Sequence, residues 1–323
     1  MSRPTSNRLV LLVLALGGFA GVSHSQQVLS AQSGTIHYTE GTVYLDGSEL
    51  HAKHSQFATM RPGQELRTEG GRAEVLLTPG AFLRVGNHSA VRMVENRLSD
   101  TRVEVVEGSV IAECDDLLKY NAITLLYGGK TIQLLKHGLY RVDTAPAQLR
   151  VFDGEAIVES ASGPLRVRHG KEVPLDGVAV AEKFHHNAAD SLDLWDKERS
   201  ELLAAASAGA SQSLLNSHTA WTSSGWSWNP FYGLYTFVPL SGTIYSPFGW
   251  QFWSPSAMSI YYTPYGSNGN YSASNGSAGG GSWTGGMGGS SSSGNATLAG
   301  GSRGLGGGGV AAAGGAGGGR SGR

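Results

Sequence analysis

The chain has 323 residues, 48 of them glycine, and a formal net charge of −1. Without clustered lysine and arginine it lacks the counterion-releasing surface of a nucleic-acid-binding protein, so that class is excluded. All 25 acidic residues precede residue 210 together with 21 of the 24 basic ones, a balance of −4, and the rest of the chain carries only Arg303, Arg320 and Arg323.

Arg3 and Arg8 precede the apolar run Leu9–Ala20, and small residues follow in Gly21-Val22-Ser23-His24-Ser25. This is the layout of a secretory signal peptide over residues 1–25, with cleavage after Ser25. The run is shorter than the roughly 20 residues that cross a bilayer, and no second apolar span follows. The mature chain is therefore expected in the periplasm or outside the cell, with no transmembrane helix. Cys114 is the single cysteine, which rules out an internal disulfide. Glu113, Asp115 and Asp116 surround it and oppose a thiolate, so it reads as a small buried hydrophobe.

Residues 26–182 form the β-type part. From Gly34 to Val180 short runs alternate with turn signals such as Asp46-Gly47, Pro62-Gly63, Gly128-Gly129 and Asp176-Gly177. That punctuation predicts an all-β roll or sandwich of short antiparallel strands. Ala73, Val75 and Leu77 share one face while Arg72 and Glu74 take the other, and Leu165 and Val167 alternate with Arg166 and Arg168, as in strands with one face in a core. Three acid-glycine steps, Glu40-Gly41, Glu107-Gly108 and Asp153-Gly154, read as turns in which glycine supplies a positive φ. Leu76-Leu77-Thr78-Pro79-Gly80-Ala81-Phe82-Leu83-Arg84-Val85 resembles Leu134-Leu135-Lys136-His137-Gly138-Leu139-Tyr140-Arg141-Val142. The domain is therefore expected to hold two unequal pseudo-repeats of one hairpin unit.

One amphipathic helix is predicted over 187–209. Asp190 or Ser191 caps it, Leu192, Trp195, Leu202 and Ala206 share a side, and Gly209 ends it. Asp193 and Lys197 can pair one turn apart. Residues 210–265 follow as an aromatic segment with no charge from Trp221 to Tyr265, and six of the seven tryptophans lie between Trp221 and Trp283. Such a stretch reads as packing on an open β edge, as a partner or glycan surface, or as a self-association site. Residues 266–323, rich in glycine and serine, are expected to be disordered because they bury too little to offset the entropy of ordering.

Few residues suggest chemistry. His51 with His54, His185 with His186, and His169 near Asp153 lack a third ligand at a zinc-like spacing, so no metal or cofactor is expected. No Gly-x-Ser-x-Gly elbow occurs, and acids such as Asp143, Asp153 and Glu155 are what any soluble β domain carries.

Met60-Arg61-Pro62-Gly63-Gln64-Glu65-Leu66-Arg67-Thr68, then Gly71 to Val85, and later Val103 to Val110 together resemble the FecR domain. That is a periplasmic all-β module of regulators of iron-siderophore uptake. The stretch from Leu192 to Ser200 and the Ser246-Pro247-Phe248-Gly249-Trp250 step are similar to secreted proteins carrying that module. The resemblance implies action through protein contacts and no catalytic residues. Regulators of that family resemble anti-sigma factors with a cytoplasmic segment and one membrane span, whereas this chain carries a signal-peptide pattern in that place.

The sequence thus predicts an exported, non-enzymatic envelope module for protein recognition, with Trp226, Trp228, Tyr232, Tyr235, Trp250 and Trp253 as the contact surface. Its partner is an envelope protein or a polysaccharide. The alternative is a glycan-binding envelope or matrix protein that uses the same aromatics.

Overall fold

The computed structural model describes residues 32–50, 57–160, 163–184, 189–218 and 220–262. The signal-peptide segment, His51, His54, His185, His186 and the tail from residue 266 lie outside the described residues. The first strands are β1 (Thr35–Glu40), β2 (Val43–Leu45), β3 (Ser48–Glu49), β4 (Glu65–Thr68), β5 (Arg72–Leu76), β6 (Ala81–Val85), β7 (Ala90–Arg97), β8 (Asp100–Glu107) and β9 (Ser109–Cys114). There follow β10 (Ile123–Tyr127), β11 (Lys130–Leu134), β12 (Gly138–Thr144), β13 (Ala147–Asp153), β14 (Glu155–Ser160), β15 (Gly163–Arg168), β16 (Lys171–Pro174) and β17 (Glu182–Lys183).

These strands build two sheets, as the turn-punctuated alternation predicts. One has the order β1-β5-β6-β9-β12-β13-β16-β17 and the other β15-β14-β11-β10-β8-β7-β4-β2-β3. Pairing is antiparallel except where β10 runs parallel to β8. Alternation sends Val75, Leu83, Ala112, Val142 and Leu149 of the first sheet and Val91, Val103, Leu125, Ile132 and Val158 of the second into one core. Each of these valine, leucine and isoleucine side chains contributes about 1.5–3 kcal/mol by leaving water. Cys114 belongs to this core, and burial pushes its thiol up, so it is a packing residue.

The acid-glycine steps are not hairpin turns. Gly41, Gly108 and Gly154 have φ of +65°, +85° and +89°, and each lies where the chain leaves one sheet for the other, between β1 and β2, β8 and β9, and β13 and β14. They are the corners of the two-sheet fold. A Cβ on Gly154 would stand 2.3 Å from the Tyr140 hydroxyl, so space as well as φ demands glycine there.

Of the two look-alike stretches, the Arg-Val halves fold alike. β6 and β12 flank β9, with Arg84 and Arg141 both opposite Ile111 and with Val85 and Val142 both opposite Val110. The leucine-pair halves part company, because Leu76 lies in β5 of the first sheet and Leu134 in β11 of the second.

A second layer covers the outer face of the eight-stranded sheet. Helix α1 spans Ser191–Asn216, with Asp190 as N-cap and Asp193 closing a capping box. It runs past the stop expected at Gly209. The cost of a mid-helix glycine, about 1 kcal/mol, is offset by burial of Ala210 and Leu214 beyond it against Val238. Hairpin β18 (Gly225–Asn229) and β19 (Leu234–Val238), the pair β20 (Thr243–Tyr245) and β21 (Gln251–Trp253), and helix α2 (Pro255–Tyr262) complete this cap.

Candidate functional site: a helix mounted on a charged sheet face

The outer face of the eight-stranded sheet presents the residues that alternate with the core set. Those are His37, Glu74, Arg84, Glu113, Arg141, Asp143 and Arg150, a charged strip across six neighbouring strands. Glu74 and Arg84 are cross-strand partners on β5 and β6. The strip would be costly to bury bare. The face of α1 that lies on it supplies complementary groups, because Asp196, Arg199 and Ser200 are buried a turn apart and Asp193, one turn earlier, borders that side.

The pairing is specific. Arg84 Nη1 donates to Asp196 Oδ1 at 2.5 Å and to Glu113 Oε2, and Ser200 Oγ donates to Glu113 Oε1 at 2.5 Å. Arg199 grips Glu74 with two bonds, Nη2 to Oε1 at 2.8 Å and Nε to Oε2 at 3.2 Å. The side chains of Glu74, Arg84, Glu113 and Asp196 are wholly inaccessible to solvent. Arg141 holds the helix entrance, with Nη1 on Asp193 at 2.7 Å and Nη2 on Asp190 at 2.6 Å, while its Nε reaches Asp143 at 2.9 Å. Asp193 therefore pairs with the sheet rather than serving the Lys197 contact expected from the sequence.

His37 joins the sheet to the hairpin. Its Nε2 accepts the backbone N–H of Tyr235 at 2.9 Å, which places the proton on Nδ1, and Nδ1–H donates to Glu74 Oε1 at 2.8 Å. The imidazole is held neutral, its pKa lowered by burial against the pull of Glu74. Burial works against the Glu74 charge too, yet Arg199, the His37 bond and Arg84 keep that carboxyl well below its ordinary range. Asp115 and Asp196 go the other way. Burial first, then the charge of the neighbouring Glu113 and a side-chain bond to it, pushes Asp115 well up. Burial also raises Asp196, against the attraction of Arg84, which is shared with Glu113 and Glu74. At the exposed helix start, burial is outweighed by Arg141 and the helix N–H groups, and Asp190 falls to about 2.

The six aromatics do not form one exposed surface. Trp226 and Tyr235 are 4% and 3% exposed and belong, with Phe82, Leu203, Phe237 and Phe252, to the core between sheet, helix and hairpin. As contact residues these two are corrected to packing residues. Trp226 meets Phe82 edge-on at 5.2 Å, and Trp228 meets Tyr235 at 5.1 Å. Trp228, Trp250 and Trp253 are half-buried, and Tyr232 is exposed beside Phe231 at the hairpin tip. Leu202, expected on the helix's buried side, is half-buried while Leu203 is fully covered.

Away from the cap, a groove of about 600 Å³ lies against β10 and β11, lined by Arg102, Lys119, Thr124, Leu126, Thr131 and Gln133 among others. Arg102 is bound to Asp100 there at 2.7 Å. His169 and His137 flank Asp153 at 3.6 and 3.7 Å. No group of three or more metal-type ligands converges among the described residues. Sequence reasoning passed over Arg84, Arg141 and Glu74. The available signal was the shared Arg-Val step, which on two strands sets an arginine on the outer face next to a valine in the core, together with Asp193, Asp196 and Arg199 on the following helix.

Fold and mount together define a two-sheet β domain with a helix-and-hairpin cap held by buried ion pairs. No family model matches the chain, and no curated protein does. Among solved structures it is similar to two crystal structures of a proposed anti-sigma factor from Parabacteroides distasonis ATCC 8503, with 15% and 14% identity and a TM-score of 0.32 in each case. These matches cover 37% of this chain, which spans 59% of the length of those chains.

Proposed function

We propose that the chain is an exported, non-enzymatic FecR-like envelope module that acts by protein recognition or structural interaction, and is not itself a transmembrane anti-sigma regulator. The observation that supports this reading most is the fate of the ionisable groups. Glu74, Arg84, Glu113 and Asp196 are sealed under α1 and committed to one another. Groups locked in this way do not meet a substrate; they make the cap a rigid part of the domain. What that rigid body offers is surface, including Phe231 and Tyr232 at the hairpin tip, 87% and 40% exposed and in edge-on contact at 5.0 Å. Exposed aromatics on a fixed mount supply contact area at small entropic cost. A platform of stacked tryptophans for sugar binding loses support with Trp226 in the core.

The test is photo-crosslinking from a benzophenone residue at position 231 of the full, C-terminally tagged chain, after cell fractionation. The expected result is a processed N-terminus, a periplasmic, outer-membrane or extracellular location, and one discrete protease-sensitive adduct. A cytoplasmic chain, or an adduct removed by polysaccharide hydrolases and not by protease, contradicts the proposal. So does turnover of any member of a hydrolase substrate panel.

A further inference from the structure

An open sheet edge invites a further strand, and folded proteins shorten, cover or charge their edges. Three of the four edges of the two large sheets are treated in the first two ways. β3 and β17 have two residues each. β1 is flanked by residues 57–60, where Ile36 N–H donates to Ala58 O and Met60 N–H donates to Gly34 O, both at 2.8 Å. The fourth edge, β15, has six residues and pairs only with β14 among the described residues.

Which backbone groups face outward follows from register. Ala156 stands opposite Val167 and Glu155 opposite Arg168, and the next pair along is fixed by the His169 N–H bond to Gly154 O. In an antiparallel ladder, bonded and non-bonded pairs alternate. Leu165, Val167 and His169 therefore bond inward, and the N–H and C=O of Arg166 and Arg168 point to the open side. Pro164 shares that parity, so its missing N–H also falls on the open side, the position where a sheet tolerates proline.

The side chains above this edge are cationic. Arg166 and Arg168 are 53% and 72% exposed on the outer face, and with Lys136 they surround the single carboxylate of Glu155, which is 5% exposed. Arg166, Arg168 and Lys136 are set against Glu155 and against Glu159, which lies on the same face opposite Pro164, so the edge keeps a net positive charge at its Arg166–Arg168 end. Two copies of β15 laid edge to edge would bring like charges together. The chain's own C-terminal region cannot neutralise it, since no acidic residue follows Glu201.

We infer that β15 is a docking edge for an extended acidic segment of a partner protein, added as a further strand of the nine-stranded sheet. Its acidic side chains, two residues apart, stand opposite Arg166 and Arg168, and its main chain bonds the N–H and C=O groups of those residues. This rests on the reading of the chain as a recognition module and names the partner's chemistry.

The test uses the full chain and two fluorescein-labelled synthetic hexapeptides, one alternating glutamate with valine and one alternating lysine with valine. Anisotropy should show saturable binding of the glutamate peptide alone, with the amides of Arg166 and Arg168 gaining hydrogen-exchange protection. Arg166→Glu with Arg168→Glu should weaken that binding by about tenfold or more and favour the lysine peptide. If the double variant does not fold, Arg168→Glu alone, whose guanidinium lies 3.7 Å from Glu155, should weaken it about threefold. Absence of saturable binding, equal binding of both peptides, or protection elsewhere overturns the proposal. Concentration-dependent protection of the edge without peptide also overturns it, in favour of self-association. A protease-sensitive adduct from position 231 alongside any of these results keeps the recognition reading and removes only the β15 edge.

Discussion

Arg84→Met tests the mount where it is most exposed to damage. Arg84 has no solvent-accessible side-chain surface, bonds Glu113 and Asp196 through Nη1, and holds its Nε 3.2 Å from Glu74. The carboxylates around it hold its pKa up although burial opposes the charge. Methionine is close in length and leaves little void, so the loss is electrostatic rather than a cavity effect. What remains is a set of buried acids without their cation, and breaking a buried pair in this one-sided way costs about 3–5 kcal/mol. Against a domain stability of about 5–15 kcal/mol, that is a large fraction. Urea unfolding followed by tryptophan fluorescence and by far-ultraviolet circular dichroism measures it, since Trp195 and Trp226 report the cap and the dichroism reports the sheets. The control is Arg102→Met, whose partner Asp100 shares a surface pair 50% and 27% exposed, and whose loss should cost less than about 1 kcal/mol. The reasoning fails if Arg84→Met costs under about 1 kcal/mol, or no more than the control.

The pH dependence of stability should separate two opposing groups. His37 is held neutral, so its contribution is complete above its unfolded value near 6.5 and is lost as pH falls toward the lowered folded value, by up to about 1.4 kcal/mol per unit. His37→Gln should therefore be less harmful at pH 5 than at pH 7, and an equal penalty at both would refute the neutral imidazole. Asp115 is raised, so its contribution is complete below about 3.9 and is lost as pH rises through its folded value. Asp115→Asn should flatten the decline of stability with rising pH, and an unchanged slope between pH 4 and 7 would count against protonation. Gly154→Ala should cost more than about 1 kcal/mol from its φ of +89° alone, and more than Gly47→Ala. Gly47 has a similar φ, but nothing lies within 4 Å of its added Cβ.

The elements that declare themselves in sequence are those whose cause is local. Alternation in Ala73, Val75 and Leu77 reports a strand face, and Asp190 with Asp193 reports a helix start, because each depends on neighbours within a few residues. The acid-glycine steps show the limit. Glycine signals a positive φ, but whether the chain then folds back or crosses to another sheet depends on partners far along the chain, such as Tyr140 beside Gly154. On α1 the apolar stripe of Leu192, Trp195 and Ala206 is buried as its spacing predicts, but the polar residues buried beside it are not legible locally. Asp196, Arg199 and Ser200 look solvent-facing until the charged strip of Glu74, Arg84 and Glu113, 80 or more residues earlier, supplies their partners. Exposure of the aromatics was equally non-local, since Trp226 is covered by Phe82 and Tyr235 is tied down by His37.

The central claim is that residues 190–262 form a docked cap and not a loose aromatic arm. Hydrogen exchange of the full chain at neutral pH tests it most directly. The Tyr235 amide, which donates to His37 Nε2, and the amides of Thr236 to Val238 should be protected to within about tenfold of those in β6 and β9. Exchange of residues 225–253 within seconds, while β6 and β9 remain protected, would contradict the cap and the ion-pair mount beneath it.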